Sequence, residues 1–371
     1  MHKPCEQSRF KHGFTHLLVA TLAVLMAACA SNPPATPKPA SSVQQQPELD
    51  TEPPPAVVQV PDSPEIAALR GLMTTQDRLD AIAAPLLMKN SELCKKQSRL
   101  LLGFSAKNKY SYSRELADKV QAAFGLDERL QVTSVLAASG AARVGLQKRD
   151  IVLTAEDTPL PQGENAERQA AAILGPLTSG RSHIKLTISR DGNSQVLNIP
   201  MTQACAFRVE LGNADHVNSY TDGRRIVLTR GLVNVAKSDL ELAFAIAREM
   251  AHAALGHPEK QRMTGTVGAI IDNLVRLNPD LSTMSGTAGV KVTLKELDAA
   301  ADILALNMLS KAGYQVEKAP QFWRRLASEY PASVLNGHTA IHPDTAYRLA
   351  AMDKTIAEIK AKEARQPPLL P

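Results

Sequence analysis

Between Ser238 and Pro258 the chain spells one helix with both ends marked. Ser238 stands as an N-cap, and Glu241, three residues on, completes a capping box. Gly256 supplies the stop, with Pro258 just beyond it. The stretch is apolar except near its C-terminal end, where Arg248, Glu249 and His252 sit within five residues.

The 371 residues suit about two domains on a prior of roughly 150 residues each. A content of 44% hydrophobic and 21% charged residues is that of a soluble globular protein with real cores. The net charge of +5 is modest, and no basic block or aromatic–basic interleaving occurs, which sets nucleic-acid binding aside.

Residues 1–28 read as a signal peptide. His2, Lys3, Arg9, Lys11 and His12 make a basic start, and residues 17–28 make an apolar run too short to span a bilayer comfortably. The run ends in Leu25-Met26-Ala27-Ala28-Cys29, which resembles a bacterial lipobox and implies that Cys29 is lipidated. A plain secretory signal cut near Ala28 or Ala30 is the alternative. Residues 29–63 then form a tether: ten of the 24 prolines lie between residues 31 and 64, in sequence too poor in apolar residues to fold. A lipid anchor on a spacer implies a body held off a membrane in the bacterial cell envelope. Ala30 and Ser31 after Cys29 favour the outer membrane, facing the periplasm, by resemblance to enterobacterial sorting. Setting aside Cys5 and Cys29 leaves Cys94 and Cys205, an even pair that in an exported protein suggests one disulfide; two buried free thiols are the other reading.

Residues 96–204 change character. Leu101-Leu102-Gly103-Phe104 precedes a strand-like 130–135, then comes 137–153, with its small residues, an Ala-x-x-x-Gly-Leu helix and Arg149-Asp150-Ile151. A helical 166–174 and a hairpin of 183–189 with 195–200 about Asp191-Gly192 follow. The segment resembles a bacterial PDZ domain, with Arg149 where the family usually has the Gly of Gly-Asp. The resemblance implies that Leu102, Gly103 and Phe104 form the loop that captures a peptide C-terminus while the peptide adds to the sheet edge. An ordinary apolar strand is the plain alternative for those three residues. Residues 64–95 carry helical periodicity and end at Cys94, so the PDZ-like segment reads as an insertion into a second domain.

That second domain covers 64–95 and 205–365, with 366–371 as a tail. Residues 217–232 read as two short strands around Asp222-Gly223, leading into the helix at 238. Thr293 and Glu296 suggest another capping box, for a helix ending at Gly313. Residues 263–277 are a further helix, and Trp323 reads as core. In order, the strand pair, the Arg248-Glu249-x-x-His252 helix, the Asp298–Asp302 helix before Ala312-Gly313-Tyr314, and His342-Pro343 followed by Arg348 resemble the HtpX/CAAX-prenyl-protease type of zinc metallopeptidase. The resemblance implies an α+β fold: a mainly helical zincin-like domain carrying the inserted PDZ-like β-sandwich or barrel domain. It makes Glu249 the general base, His252 and Asp298 metal ligands, and His342 and Arg348 residues that approach and brace the site. Zinc is the implied cofactor, and peptide or protein clients are the implied partners.

Two departures bear on activity. In the helical zinc signature two His at i and i+4 bind the ion, and here the first is Arg248, whose guanidinium stays protonated and has no acceptor. The third ligand, Glu in the family, is Asp298; Glu296 lies two residues off register, turned about 200° away on a helix. One reading pairs Arg248 with Asp298 in the old metal position, leaving a catalytically impaired client-binding protein, with no cofactor. A second is an active zinc endopeptidase with a reorganised site of His252, Asp298 and His342. In a third, Glu249 and His252 are relics in a solvated cleft and Arg248 points outward. A purely structural envelope factor is a further alternative.

Overall fold

A computed structural model describes residues 63–282, 284, 289–331, 337–343 and 345–365 of the chain. The expected signal peptide, Cys29, the tether up to residue 62 and the tail from 366 lie outside the described residues. The described chain opens with α1 (Pro64–Lys89), capped by Ser63, whose side chain accepts from the Ile66 amide. α1 buries Leu79, Ile82, Leu86 and Leu87 in the main core.

The chain then leaves that core and comes back. β1 (Ser98–Leu101) departs and β8 (Thr202–Cys205) returns, paired antiparallel from Ser98 opposite Cys205 to Leu101 opposite Thr202. Cys94 is disulfide-bonded to Cys205, 111 residues away, at the foot of this ribbon. Between the two strands lie β2 (Phe104–Lys107), α2 (Ala117–Phe124), β3 (Gln131–Val135), α3 (Gly140–Arg143), β4 (Ile151–Ala155), β5 (Thr158–Pro159), α4 (Ala166–Thr178), β6 (His183–Arg190) and β7 (Asn193–Pro200). The sheet runs β2-β3-β4-β6-β7, with β5 on β4. It has its own apolar core, in which Val132, Leu146, Ile184, Leu186 and Ile199 are buried together.

Two features of this sheet domain explain local sequence. Gly103 has φ +82, and a Cβ there would meet the Ser139 Cβ at 2.4 Å, so the Leu-Gly-Phe turn needs glycine for both its dihedral and its neighbour. Arg149 has φ +76, a left-handed conformation that explains why glycine is usual there. Asp150 beside it is buried, accepts from the Gln147 amide and holds Arg190 through two bonds of 2.7 and 2.6 Å.

The remaining elements are β9 (Arg208–Gly212), β10 (Ser219–Thr221), β11 (Arg225–Thr229), α5 (Arg230–Val235), α6 (Asp239–Ala254), α7 (His257–Lys260), α8 (Thr264–Leu274), α9 (Lys295–Lys311), α10 (Ala319–Glu329), α11 (Gly337–Ile341) and α12 (Thr345–Glu363). The strand pair read around Asp222-Gly223 is β10 with β11; β9, which lacks a turn signal of its own, joins β11 in parallel. α6 starts where its cap predicts, and Ser238 accepts from the Glu241 amide. The Glu241 carboxylate reaches the Lys237 amide, one residue before the cap. α9 departs from expectation: Leu294 is its N-cap, without a side-chain bond, and the Thr293 amide instead donates to the Ile341 carbonyl. α8 is shorter than the 263–277 span read from sequence. α6 packs on α9, which packs on α12, and Trp323 is buried in their core.

The disulfide closes a long loop, so replacing Cys94 and Cys205 together with Ala is expected to cost about 4 kcal/mol of unfolding free energy on the chain-entropy model. Urea denaturation of the double variant against the oxidised parent measures it.

Candidate active site

On a helix, residues four apart share a face. α6 therefore presents Arg248 and His252 together, and α9 presents Asp298 and Asp302 together; where the two helices cross, these pairs meet. Arg248, Asp298 and Asp302 are all 0% exposed. Arg248 Nη2 lies 2.5 Å from Asp298 Oδ1, and Nε donates to Asp302 Oδ1 at 3.0 Å. His342, just after α11, completes the cluster: its Nδ1 is 2.7 Å from Asp298 Oδ1 and 3.0 Å from Arg248 Nη2. His252 Nε2 stands 3.5 Å from Asp298 Oδ1.

A second tier holds the first. Arg348 of α12 grips Asp302 with Nε to Oδ2 at 2.6 Å and Nη2 to Oδ1 at 3.1 Å, and its Nη1 reaches the His342 carbonyl at 3.4 Å. Both guanidiniums lie over Trp323, Arg348 at 4.1 Å and Arg248 at 5.0 Å, and His338 stacks on the same indole at 4.3 Å. Glu249 accepts from Ser219 Oγ of β10 at 2.9 Å, with Arg248 Nη1 3.6 Å away. His257 Nδ1 meets His252 Nδ1 at 2.9 Å, holding that ring from behind. A cleft lined by Ser219, Glu249, His252, His257, Thr293 and His342 opens beside the cluster.

The electrostatics follow from burial. Burial pushes the Asp298 carboxyl up, but the His342 ring and Arg248 guanidinium, with the nearby His252 ring and the hydrogen bond to His342, hold it well below the ordinary carboxylate range. Burial, aided by Arg248, takes His342 down to about 3. His257 is likewise pushed to about 3 by burial and then by His252. With His342 neutral, Arg248 is the fixed positive charge against Asp298. Burial alone would lower the Arg348 guanidinium; Asp302 holds it above its usual value.

These residues can be tested against a zinc ion. In favour, ligand atoms of His252, Asp298 and His342 lie within 4.8 Å of one another, and His252 Nε2 and Asp298 Oδ2 are buried with no hydrogen-bond partner among the described residues. Against it, Arg248 Nη2 already sits on two of those three residues. A dication about 4 Å from a guanidinium is repelled by roughly 8 kcal/mol at an effective dielectric of about 20. With Arg248 so placed, the residues do not fit zinc.

The structure brings together Arg248, Glu249, His252, Asp298, His342 and Arg348, and leaves Glu296 exposed, turned away. It does not place Arg248 outward, and Glu249 and His252 are buried rather than solvated. Leu102, Gly103 and Phe104 belong to the sheet domain and take no part in this cluster. Sequence reasoning missed Ser219, the backing of His252 by His257, and the stacking on Trp323, none of which has a local signal. Removing one member of a buried ion network strands the others. Arg248→Ala is therefore expected to destabilise the protein by about 3–5 kcal/mol in urea titration, far beyond the change for an exposed arginine such as Arg324.

Residues 187–356 match the family described as Peptidase family M48. Among curated proteins, the chain is 25% identical over 208 residues to the mitochondrial metalloendopeptidase OMA1 of Arabidopsis thaliana, covering 55% of this chain and 41% of that protein. It is 29% identical over 125 residues to a beta-barrel assembly-enhancing protease of Vibrio cholerae serotype O1, covering 29% of this chain and 25% of that protein. The chain thus spans less than half the length of either relative. Among solved structures it is similar to the HtrA3 PDZ domain bound to a phage-derived ligand (18% identity, TM-score 0.22, 29% of this chain and 88% of that one). A PDZ domain protein from Parabacteroides distasonis is also similar (16% identity, TM-score 0.21, 34% of this chain and 23% of that one). The stretch that matches Peptidase family M48 is less than half of the 371 residues, beginning within β6 and taking in every residue of the buried cluster, in a chain of mixed α+β fold.

Proposed function

We propose that this chain is an envelope lipoprotein that binds peptide or protein clients on a metallopeptidase fold and does not hydrolyse them. The observation that carries this reading is the Arg248 guanidinium seated between Asp298, Asp302 and His342. That fixed charge, with Arg348 on Asp302, supplies the counter-ions that the two aspartates need, without a Lewis acid or a water made acidic by one. Glu249, the would-be base, is left bound to Ser219 and near Arg248. In this reading residues 1–28 are removed, Cys29 is lipidated, 29–63 tether the body, and 96–204 are an insertion into a domain of 64–95 and 205–365. The Vibrio relative, named for beta-barrel assembly, supports placement at the outer membrane facing the periplasm.

The sheet domain supplies the second half of the reading. Among the described strands β2 pairs with β3 alone, so its outer edge can take an added strand. Leu102 and Phe104 line that end of the domain core, and Gly103 turns the chain between them. Clients with a free C-terminal carboxylate fit this edge.

One observation favours a rival: the convergence of His252, Asp298 and His342. In that reading Arg248 swings aside, zinc binds those three, Glu249 serves as base, and the protein is an active endopeptidase. Metal analysis of the full chain separates the two. Well below one zinc per chain and no cleavage of casein are expected; stoichiometric zinc with activity abolished by Glu249→Gln overturns the proposal. For the sheet domain, a library of C-terminal peptides is expected to yield binders that weaken more than about tenfold when the carboxylate is amidated. Binding indifferent to amidation would refute the assigned loop.

A further inference from the structure

We propose that Asp80 and Gln76 of α1 are positioning residues that couple the peptide edge of the sheet domain to the candidate site, so that occupancy of β2 is felt at Ser219 and Glu249. This rests on the reading of β2 as a peptide-binding edge.

The connection is an unbroken line of hydrogen bonds and strand pairs. Ser105 of β2 lies opposite Ser134 of β3. Ser134 Oγ donates to Asp80 Oδ2 at 2.6 Å, and Asp80 Oδ1 accepts from Gln76 Nε2 at 2.8 Å. The Gln76 amide then grips β9 at two points, donating to the Val209 carbonyl at 2.9 Å and accepting from the Leu211 amide at 2.8 Å. Among the described strands the order β10-β11-β9 leaves β9 without a neighbour on that side, so one side-chain amide does there what a neighbouring strand would do. Register completes the line. Leu211 is opposite Leu228 of β11, Leu228 is opposite Ser219 of β10, and Ser219 Oγ donates to Glu249.

Two properties make this line responsive. Asp80 is largely buried, and burial pushes its carboxyl up against the pull of Ser134 and Gln76, so losing either bond strands a desolvated group. On the binding side, the β2–β3 register shifts between Ser105 and Ala106, opposite Ser134. A bulge disturbs the ladder locally, and a strand added to β2 would bear on that point. Lys119 of α2 also links the sheet domain to α1, through Glu65 at 2.8 Å, and this exposed pair is not among the groups acting on Asp80. It provides the control.

Hydrogen exchange on the full chain tests the coupling. Ser134→Ala and Asp80→Ala are each expected to speed exchange of the Leu211 and Ser219 amides about fivefold or more, the double variant adding little, while Lys119→Ala changes neither. Unchanged exchange in Ser134→Ala, or an equal rise in Lys119→Ala, would show mere docking and overturn the proposal. In a second arm, a carboxylate-terminated library peptide bound to the parent is expected to alter exchange at Leu211 and Ser219, and to lose that effect in Asp80→Ala. A peptide that binds with no change there also overturns it. If no peptide binds, the reading of β2 fails instead, and the variant arm still decides the coupling.

Discussion

The structure around α6 depends on one guanidinium. Two aspartates on one helix face, with no accessible surface, would repel each other and lack hydration; Arg248 bridges both, and Arg348 supplies the second positive charge. Arg348 grips Asp302 from the opposite side, and Trp323 gives both arginines an aromatic wall. Helices α6, α9, α10 and α12 are thereby joined through polar contacts inside an apolar bundle. A monocation and a zinc dication can both answer this arrangement, but not together, since they call on the same oxygen of Asp298. That exclusion is why the departure at position 248 reaches beyond a single ligand.

The sheet domain hangs from the same core by a ribbon, a disulfide and α1. α1 buries one face against the main core and turns Gln76 and Asp80 toward the junction, so the sheet domain is braced against α1 rather than left on a free hinge. The β9 edge, which would otherwise expose unpaired amides, is closed by the Gln76 side chain.

Much of the fold was legible because it was written locally. The cap at Ser238, the Asp-Gly turns and the periodicity of α1 act over a few residues and survive into the structure. Where local signals misled, a longer-range contact had won: the Thr293 amide pairs with Ile341, so α9 begins later, with Leu294 at its cap. β9 was invisible because an edge strand paired in parallel with a partner many residues later carries no turn to announce it.

The candidate site divides the same way. Sequence alone determined that Arg248 and His252 share one helix face and Asp298 and Asp302 another, because helix geometry makes any i, i+4 pair neighbours. It also determined that Arg248 cannot ligate a metal, which is a property of the side chain itself. Only the tertiary structure decided that these faces meet, that Arg248 points inward with no exposed surface, and that Ser219, His257 and Trp323 complete the cluster. Those outcomes depend on how strands and helices far apart in the chain are packed, and no local pattern encodes the distance between them.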